Sequence, residues 1–315
     1  MKKTTRRDFV KKTAMAGVLP FVVPYENKWN EAPSKNELDI NIFSKHLQFL
    51  EYEAVGAKAV EIGFSGVDLT VRPKGHILPE TVEKVLPKAI EAIKRGGSSC
   101  KMMTTAVGDS KNAIDRSVLQ IASQQGIKYY RANWFKYEDN QSMQDTLERY
   151  KDQIAELSLY NKQLGLVGCY QNHSGLSIGA SVWELKKLVE SADPNHFGLQ
   201  YDIRHATVEG GMSWKNGLRL VHDNIKTIAL KDFRWEVVKG KWKTVNTPIG
   251  EGMVDFKTYF GLLKKYKINV PVSLHFEYPL GGADHGKSTI TINENIVFDA
   301  MKRDLKKVRE LWKEA

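Results

Sequence analysis

A chain of 315 residues, 42% of them hydrophobic, is long enough to bury one large core, and an α/β barrel fits this length better than two average domains. Mean hydropathy is −0.41, and no stretch of about 18 apolar residues follows the N-terminus, which argues against a membrane-spanning helix. The net charge is +10, but half of it falls in residues 1–25; the other basic residues are spread over predicted helix faces and form no nucleic-acid groove.

Residues 4–10 read TTRRDFV, followed by two lysines and TAMAGVLPFVV. A basic region, the paired Arg6 and Arg7, and a short apolar run follow one another. This order resembles a bacterial twin-arginine export signal, which implies a periplasmic protein. No A-x-A cleavage site stands out after Val23, so the segment is either removed or kept as an uncleaved anchor. Residues 1–25 are therefore read as signal, 26–36 as a polar linker, and 37–315 as the folded domain.

From Glu37 onward, short apolar runs alternate with amphipathic ones. The predicted strands are Leu38–Phe43, Gly66–Thr70, Lys101–Ala106, Lys128–Trp134, Gly165–Gln171, Gly198–Asp202, Ile225–Lys231 and Val270–Glu277. Between them lie helical patterns. Lys45–Val60 carries apolar residues at helical spacing, Pro79 opens a helix, and Ser181 with Glu184 forms a candidate capping box. Phe256–Tyr266 and Asn293–Trp312 supply two more. Eight strands alternating with helices predict a single closed (β/α)8 TIM barrel. No Gly-rich phosphate turn is present to suggest an open doubly wound sheet. Cys100 and Cys169 lie in separate strands and read as two buried free thiols.

In such a barrel, chemistry sits at the C-terminal strand ends. These ends carry an unusual density of polar groups. Asp202 and His205, in YDIRHA, are a mixed O/N pair that Mn²⁺, Mg²⁺ or Zn²⁺ would accept; the alternative is a helix-capping carboxylate beside a structural histidine. Strand alternation places His275 with Glu277, and Gln171 with His173. Either member of the second pair suits a metal or a sugar hydroxyl. Lys231, in IALKDF, is a buried lysine suited to proton transfer, or else an ion-pair partner of Asp232. Lys45, Arg72, His76 and His173 are candidate contacts to substrate hydroxyls or anions, and Trp134 is a candidate stacking surface.

The segments GFSGVDLTVRPKGHILPE, YQNHSG, YDIRHA, IALKDF, PIGEGMVDF and SLHFEY resemble the xylose-isomerase-like barrel superfamily of sugar isomerases and epimerases, over residues 37–311. That resemblance implies a divalent ion held by Glu, Asp, His and Glu on four successive strand ends. By position these are Gln171, Asp202, Ala229 and Glu277, so two of four depart from the pattern. The expected site is then Asp202, His205, Glu277 and Gln171 around the ion, with Lys231, His275 or Glu277 in proton transfer. The expected activity is sugar isomerisation or epimerisation by proton abstraction next to a carbonyl. A 3-keto-glycoside lyase or hydrolase needs one base fewer, and a carbohydrate-binding barrel that has lost catalysis would also explain the departures. The substrate is a small carbohydrate in each case. An abasic-site nuclease on the same barrel is disfavoured by the export signal and by too few His and Glu ligands for three zincs.

Overall fold

The computed structural model describes residues 37–315; the predicted signal and linker lie outside the described residues. Eight parallel strands close into a barrel: β1 (Ile40–Phe43), β2 (Gly66–Val71), β3 (Met102–Thr105), β4 (Tyr129–Arg131), β5 (Val167–Gln171), β6 (Phe197–Asp202), β7 (Ile225–Leu230) and β10 (Val272–Leu274). Each pairs with the next in chain order, and β10 closes the ring between β7 and β1. All eight predicted strands are present. Nearly every strand residue is buried, as expected when helices cover the outside and side chains fill the inside. Both cysteines are buried and free.

The helices follow from ordinary local signals. Asn112 caps α3 (Ala113–Gln124) and Ser142 caps α4 (Met143–Leu164), each accepting backbone N–H bonds of the first turn. Here α1 is Tyr52–Ile62 and α2 is Val82–Arg95. The predicted helix over 45–60 is split: a 3-10 turn at Ser44–Leu47 precedes α1. Tertiary bonds override the periodicity there. Ser44 Oγ accepts the N–H of Thr70, and His46 is pinned through Nδ1 to Ala283 O and through Nε2 by the N–H of Phe276. Ser181 does precede α5 (Val182–Leu188), but its side chain makes no cap, and Glu184 instead accepts the N–H of Gly179.

One element escapes the strand–helix alternation. After β7 the chain makes an antiparallel hairpin, β8 (Asp232–Val238) and β9 (Lys241–Thr247), turning through Lys239 and Gly240, both at positive φ. Two positive-φ residues in succession match the right-handed twist of the flanking strands. The return segment PIGEGMV is then folded around Asp232. Its carboxylate accepts the backbone N–H groups of Phe233, Gly250, Gly252 and Val254. Asp232 is thus a loop anchor, not the partner of Lys231.

Removing that carboxylate strands several backbone donors in a buried setting. Asp232→Ala is expected to lower unfolding free energy by about 3 kcal/mol, since each unsatisfied donor costs about 1–3 kcal/mol. Urea denaturation checks this; an unchanged midpoint would show that the loop is held by something else.

Candidate active site

Three barrel strands lay a polar floor inside the ring. Asp68 of β2 accepts from Thr104 of β3 and from Ser273 of β10, the latter at 2.6 Å. Ser273 gives its proton to Asp68, so its oxygen accepts from His275 Nε2 at 3.1 Å. That fixes the His275 tautomer: Nε2 carries the proton, and Nδ1 keeps a lone pair with no hydrogen-bond partner. The ring is stacked on Phe43, with centroids 4.1 Å apart.

Toward the C-terminal strand ends lies a cavity of about 250 Å³. Eight sequence-predicted residues line it: Lys45, Arg72, Trp134, Gln171, His173, Lys231, His275 and Glu277. Phe43, Thr104 and Arg131 complete the wall. Asp202 and His205 lie just behind it, essentially inaccessible. His76 is elsewhere. Its Nε2 meets Leu50 O, its N–H donates to Thr70 Oγ1, and its ring packs on Tyr52, so it does not contact a substrate in the cavity.

A run of alternating charges crosses the site. Lys45 Nζ is 3.1 Å from Glu277 Oε1, Lys231 Nζ is 3.2 Å from Glu277 Oε2, and the same Lys231 Nζ is 3.3 Å from Asp202 Oδ2. Ala229 is the partner of Asp202 in the strand register. Lys231 follows it by two residues, so the short side chain precedes the long one on the same side of the chain. Burial alone would raise the Glu277 pKa, but Lys231 and Lys45 override it and hold the carboxyl well below its usual range. Burial raises the Asp202 pKa, with Lys231 pulling the other way.

Asp202 takes the helix-capping role that the sequence offered as the alternative to a metal ligand. Oδ1 caps α6 (Ile203–Gly210) by accepting the N–H of His205, while Oδ2 faces the site. Gln171 Nε2 donates to Oδ2 at 2.9 Å, and Gln171 Oε1 accepts from Arg131 at 3.3 Å. Gln171 therefore bridges a cation and an anion. A glutamate there would set a second carboxylate against Asp202.

The residues do not fit a divalent ion. Ala229 offers no donor atom. Gln171 and Lys231 turn N–H groups toward Asp202. His205 Nδ1 accepts from Arg204 and faces Ser174 Oγ, which puts its proton on Nε2, 3.6 Å from Asp202. Around Asp202 stand hydrogen-bond donors where a metal needs lone pairs. Among the described residues no group of three His, Cys, Asp or Glu side chains could hold a metal. The expected set of Asp202, His205, Glu277 and Gln171 thus does not present itself as a shell of lone pairs around one point. Lys231 Nζ, between the Asp202 and Glu277 carboxylates, is placed as a hydrogen-bond donor.

His173 faces the cavity beside Trp134, with ring centroids 4.5 Å apart. Its Nδ1 donates to Ser174 O at 2.9 Å, leaving the lone pair on Nε2. Burial first, then Lys231, lowers its pKa to about 4, and the same two causes hold His275 well below 6.5. The site thus contains two neutral imidazoles beside a fixed ammonium. Asp68 and Ser273 were assigned no role from the sequence. The signal was there in SLHFE, where alternation puts Ser273 on the side of His275 and Glu277. Asp68 could be paired with Ser273 only by closing the barrel.

Fold and site define a closed parallel barrel with a polar, monosaccharide-sized mouth. The family described as Xylose isomerase-like TIM barrel matches residues 56–291, most of the chain, and the chain belongs to it. D-psicose 3-epimerase of Clostridium cellulolyticum H10 is similar at 12% identity and a TM-score of 0.65, over 87% of this chain and 99% of that one. 3-Keto-D-glucoside 4-epimerase of E. coli gives 15% and 0.63, over 87% and 100%. A xylose isomerase-like TIM barrel protein of Mycobacterium smegmatis in complex with magnesium gives 10% and 0.61, over 87% and 100%. At these identities the likeness is one of fold. No curated protein sequence matches the chain.

Two stability predictions follow from the charges. Burial lowers the pKa of His46 to about 3 and of His76 to about 4, alongside His173, His205 and His275. Each folded value lies below the unfolded one of about 6.5, so the neutral rings stabilise fully above that pH. Their contribution is lost as the pH falls toward 4, at up to about 1.4 kcal/mol per pH unit for each ring. The urea midpoint should drop from pH 6.5 downward; a flat profile between pH 7 and 5 would contradict this. Lys231→Met leaves two carboxylates without their shared cation and is expected to cost about 3–5 kcal/mol at pH 7. Adding Asp202→Asn should recover part of that loss, and no recovery would show that the ammonium does not serve Asp202.

Proposed function

We propose that this chain is an enzyme of the sugar isomerase and epimerase class, or a lyase that shares its first step. It takes a proton from the carbon next to the carbonyl of a monosaccharide-sized keto-sugar. One observation carries the reading: a fixed ammonium, Lys231, shares a small cavity with two neutral imidazoles, His173 and His275, whose lone-pair nitrogens are determined by their own hydrogen bonds. The psicose and 3-keto-glucoside epimerases on the same barrel support the class.

Lys231 donates to the substrate carbonyl oxygen and makes the adjacent C–H more acidic. As the proton leaves, negative charge moves onto that oxygen, against the ammonium. His275 Nδ1 accepts the proton. The resulting imidazolium is steadied through Nε2–H to Ser273 and from Ser273 to Asp68. Glu277 and Asp202 hold Lys231 in place. His173 is the second group. The proton that His275 has taken is returned at carbon in isomerisation or given to the departing oxygen in elimination from a keto-glycoside, while the bare Nε2 of His173 accepts a hydrogen bond from a substrate hydroxyl. Lys45 and Trp134 bound the sugar.

Keto-sugars incubated with the protein in D₂O should gain deuterium next to the carbonyl, read by mass spectrometry. His275→Gln and Lys231→Met should each slow exchange by about 10²-fold or more, and a chelator should leave the rate unchanged. No exchange with any keto-sugar would overturn the reading in favour of a carbohydrate-binding barrel. The export segment TTRRDFV supports a periplasmic location, which fractionation of cells carrying Arg6→Lys with Arg7→Lys would test.

A further inference from the structure

The charges of the cavity do not balance locally. Lys45 and Lys231 are matched by Glu277 and Asp202. Two guanidiniums on the same wall, Arg72 and Arg131, are not. Arg131 is 4% exposed, gives one N–H to Gln171 and one to the Thr105 carbonyl, and leaves Nε buried without a partner. Arg72 makes no side-chain hydrogen bond or ion pair among the described residues and lies over the Phe43 ring at 5.6 Å. Asp68 acts on both through space, yet it spends its hydrogen bonds on Thr104 and Ser273 and lies beyond ion-pair distance of either.

Burying a guanidinium is costly unless a carboxylate or phosphate meets it. Two that repel each other in one small cavity are costlier, and burial together with Arg72 lowers the Arg131 pKa to about 9. Arg131 also lies over the Trp134 ring, its Cζ 4.0 Å from the centroid, and its bonds to Gln171 and the Thr105 carbonyl fix the guanidinium before any ligand arrives. A planar fork with free N–H groups is suited to bind an oxyanion through two parallel bonds.

We propose that Arg72 and Arg131 form an anion subsite, and that the sugar handled here carries a carboxylate or a phosphate. The substrate class is then an acidic monosaccharide, which deepens the reading above and rests on it. A neutral sugar leaves both guanidiniums unmatched and binds weakly.

The test is calorimetric titration of the full chain with glucuronate, glucose 6-phosphate and glucose at low salt. At least one charged sugar should bind about tenfold or more tightly than glucose, as charge-assisted bonds to a buried arginine allow. Glucuronate against glucose 6-phosphate distinguishes carboxylate from phosphate. Added salt should weaken the preference, and Arg72→Gln, confirmed folded by circular dichroism, should bring charged and neutral sugars to within about twofold of each other. Equal binding of charged and neutral sugars, no binding by any of them, or a preference that survives Arg72→Gln would overturn the subsite. Deuterium exchange is a separate readout. Exchange on neutral sugars without a charge preference removes the subsite alone, whereas a charge preference without exchange on any keto-sugar removes the proton-abstraction reading alone.

Discussion

The site is organised by one ammonium, that of Lys231, between two carboxylates from different strand ends. Asp202 has no accessible surface, and a bare carboxylate there would be very costly. Lys231 offsets that cost and also ties the end of β7 to the ends of β6 and β10. Lys45 extends the same chain of charges to β1. The alternation + − + − leaves each carboxylate with a cation, so the arrangement is a set of donors facing a cavity.

The neighbouring residues agree with this cation. Gln171 gives Asp202 an N–H and takes one from Arg131, which a glutamate cannot do. His205 keeps its lone pair on the nitrogen turned to Arg204 and Ser174. Ala229, paired with Asp202 in register, contributes only a methyl group. The departures at Gln171 and Ala229 read singly as losses of metal ligands. Seen together in the fold, they are the surroundings of an ammonium.

Much of the barrel is legible in the sequence because its determinants are local. Short apolar strands, amphipathic helices and caps such as Asn112 and Ser142 each follow from a few adjacent residues. Where distant contacts decide, the local reading fails. His46 and Ser44 are held by residues about 230 and 26 positions away, and these bonds break the helix that periodicity favours. The hairpin after β7 was legible in WEVVKGKWKTV, with apolar alternation on both sides of a Lys-Gly turn, but the expectation of another strand–helix unit hid it.

The sequence by itself determined the fold class, the strand-end location of the polar residues, and the list of groups available for chemistry, because strand alternation and barrel topology follow from short-range pattern. It also marked Asp202, Lys231, His275 and Glu277 as candidates for chemistry. Only the tertiary structure decided which charge meets which. Lys231 could pair with adjacent Asp232 or with distant Asp202 and Glu277, and the loop around Asp232 settles it by filling that carboxylate with four backbone N–H groups. Hydrogen-bond direction, imidazole tautomer and the unmatched guanidiniums depend on distances between strands dozens of residues apart, and barrel closure alone sets those distances.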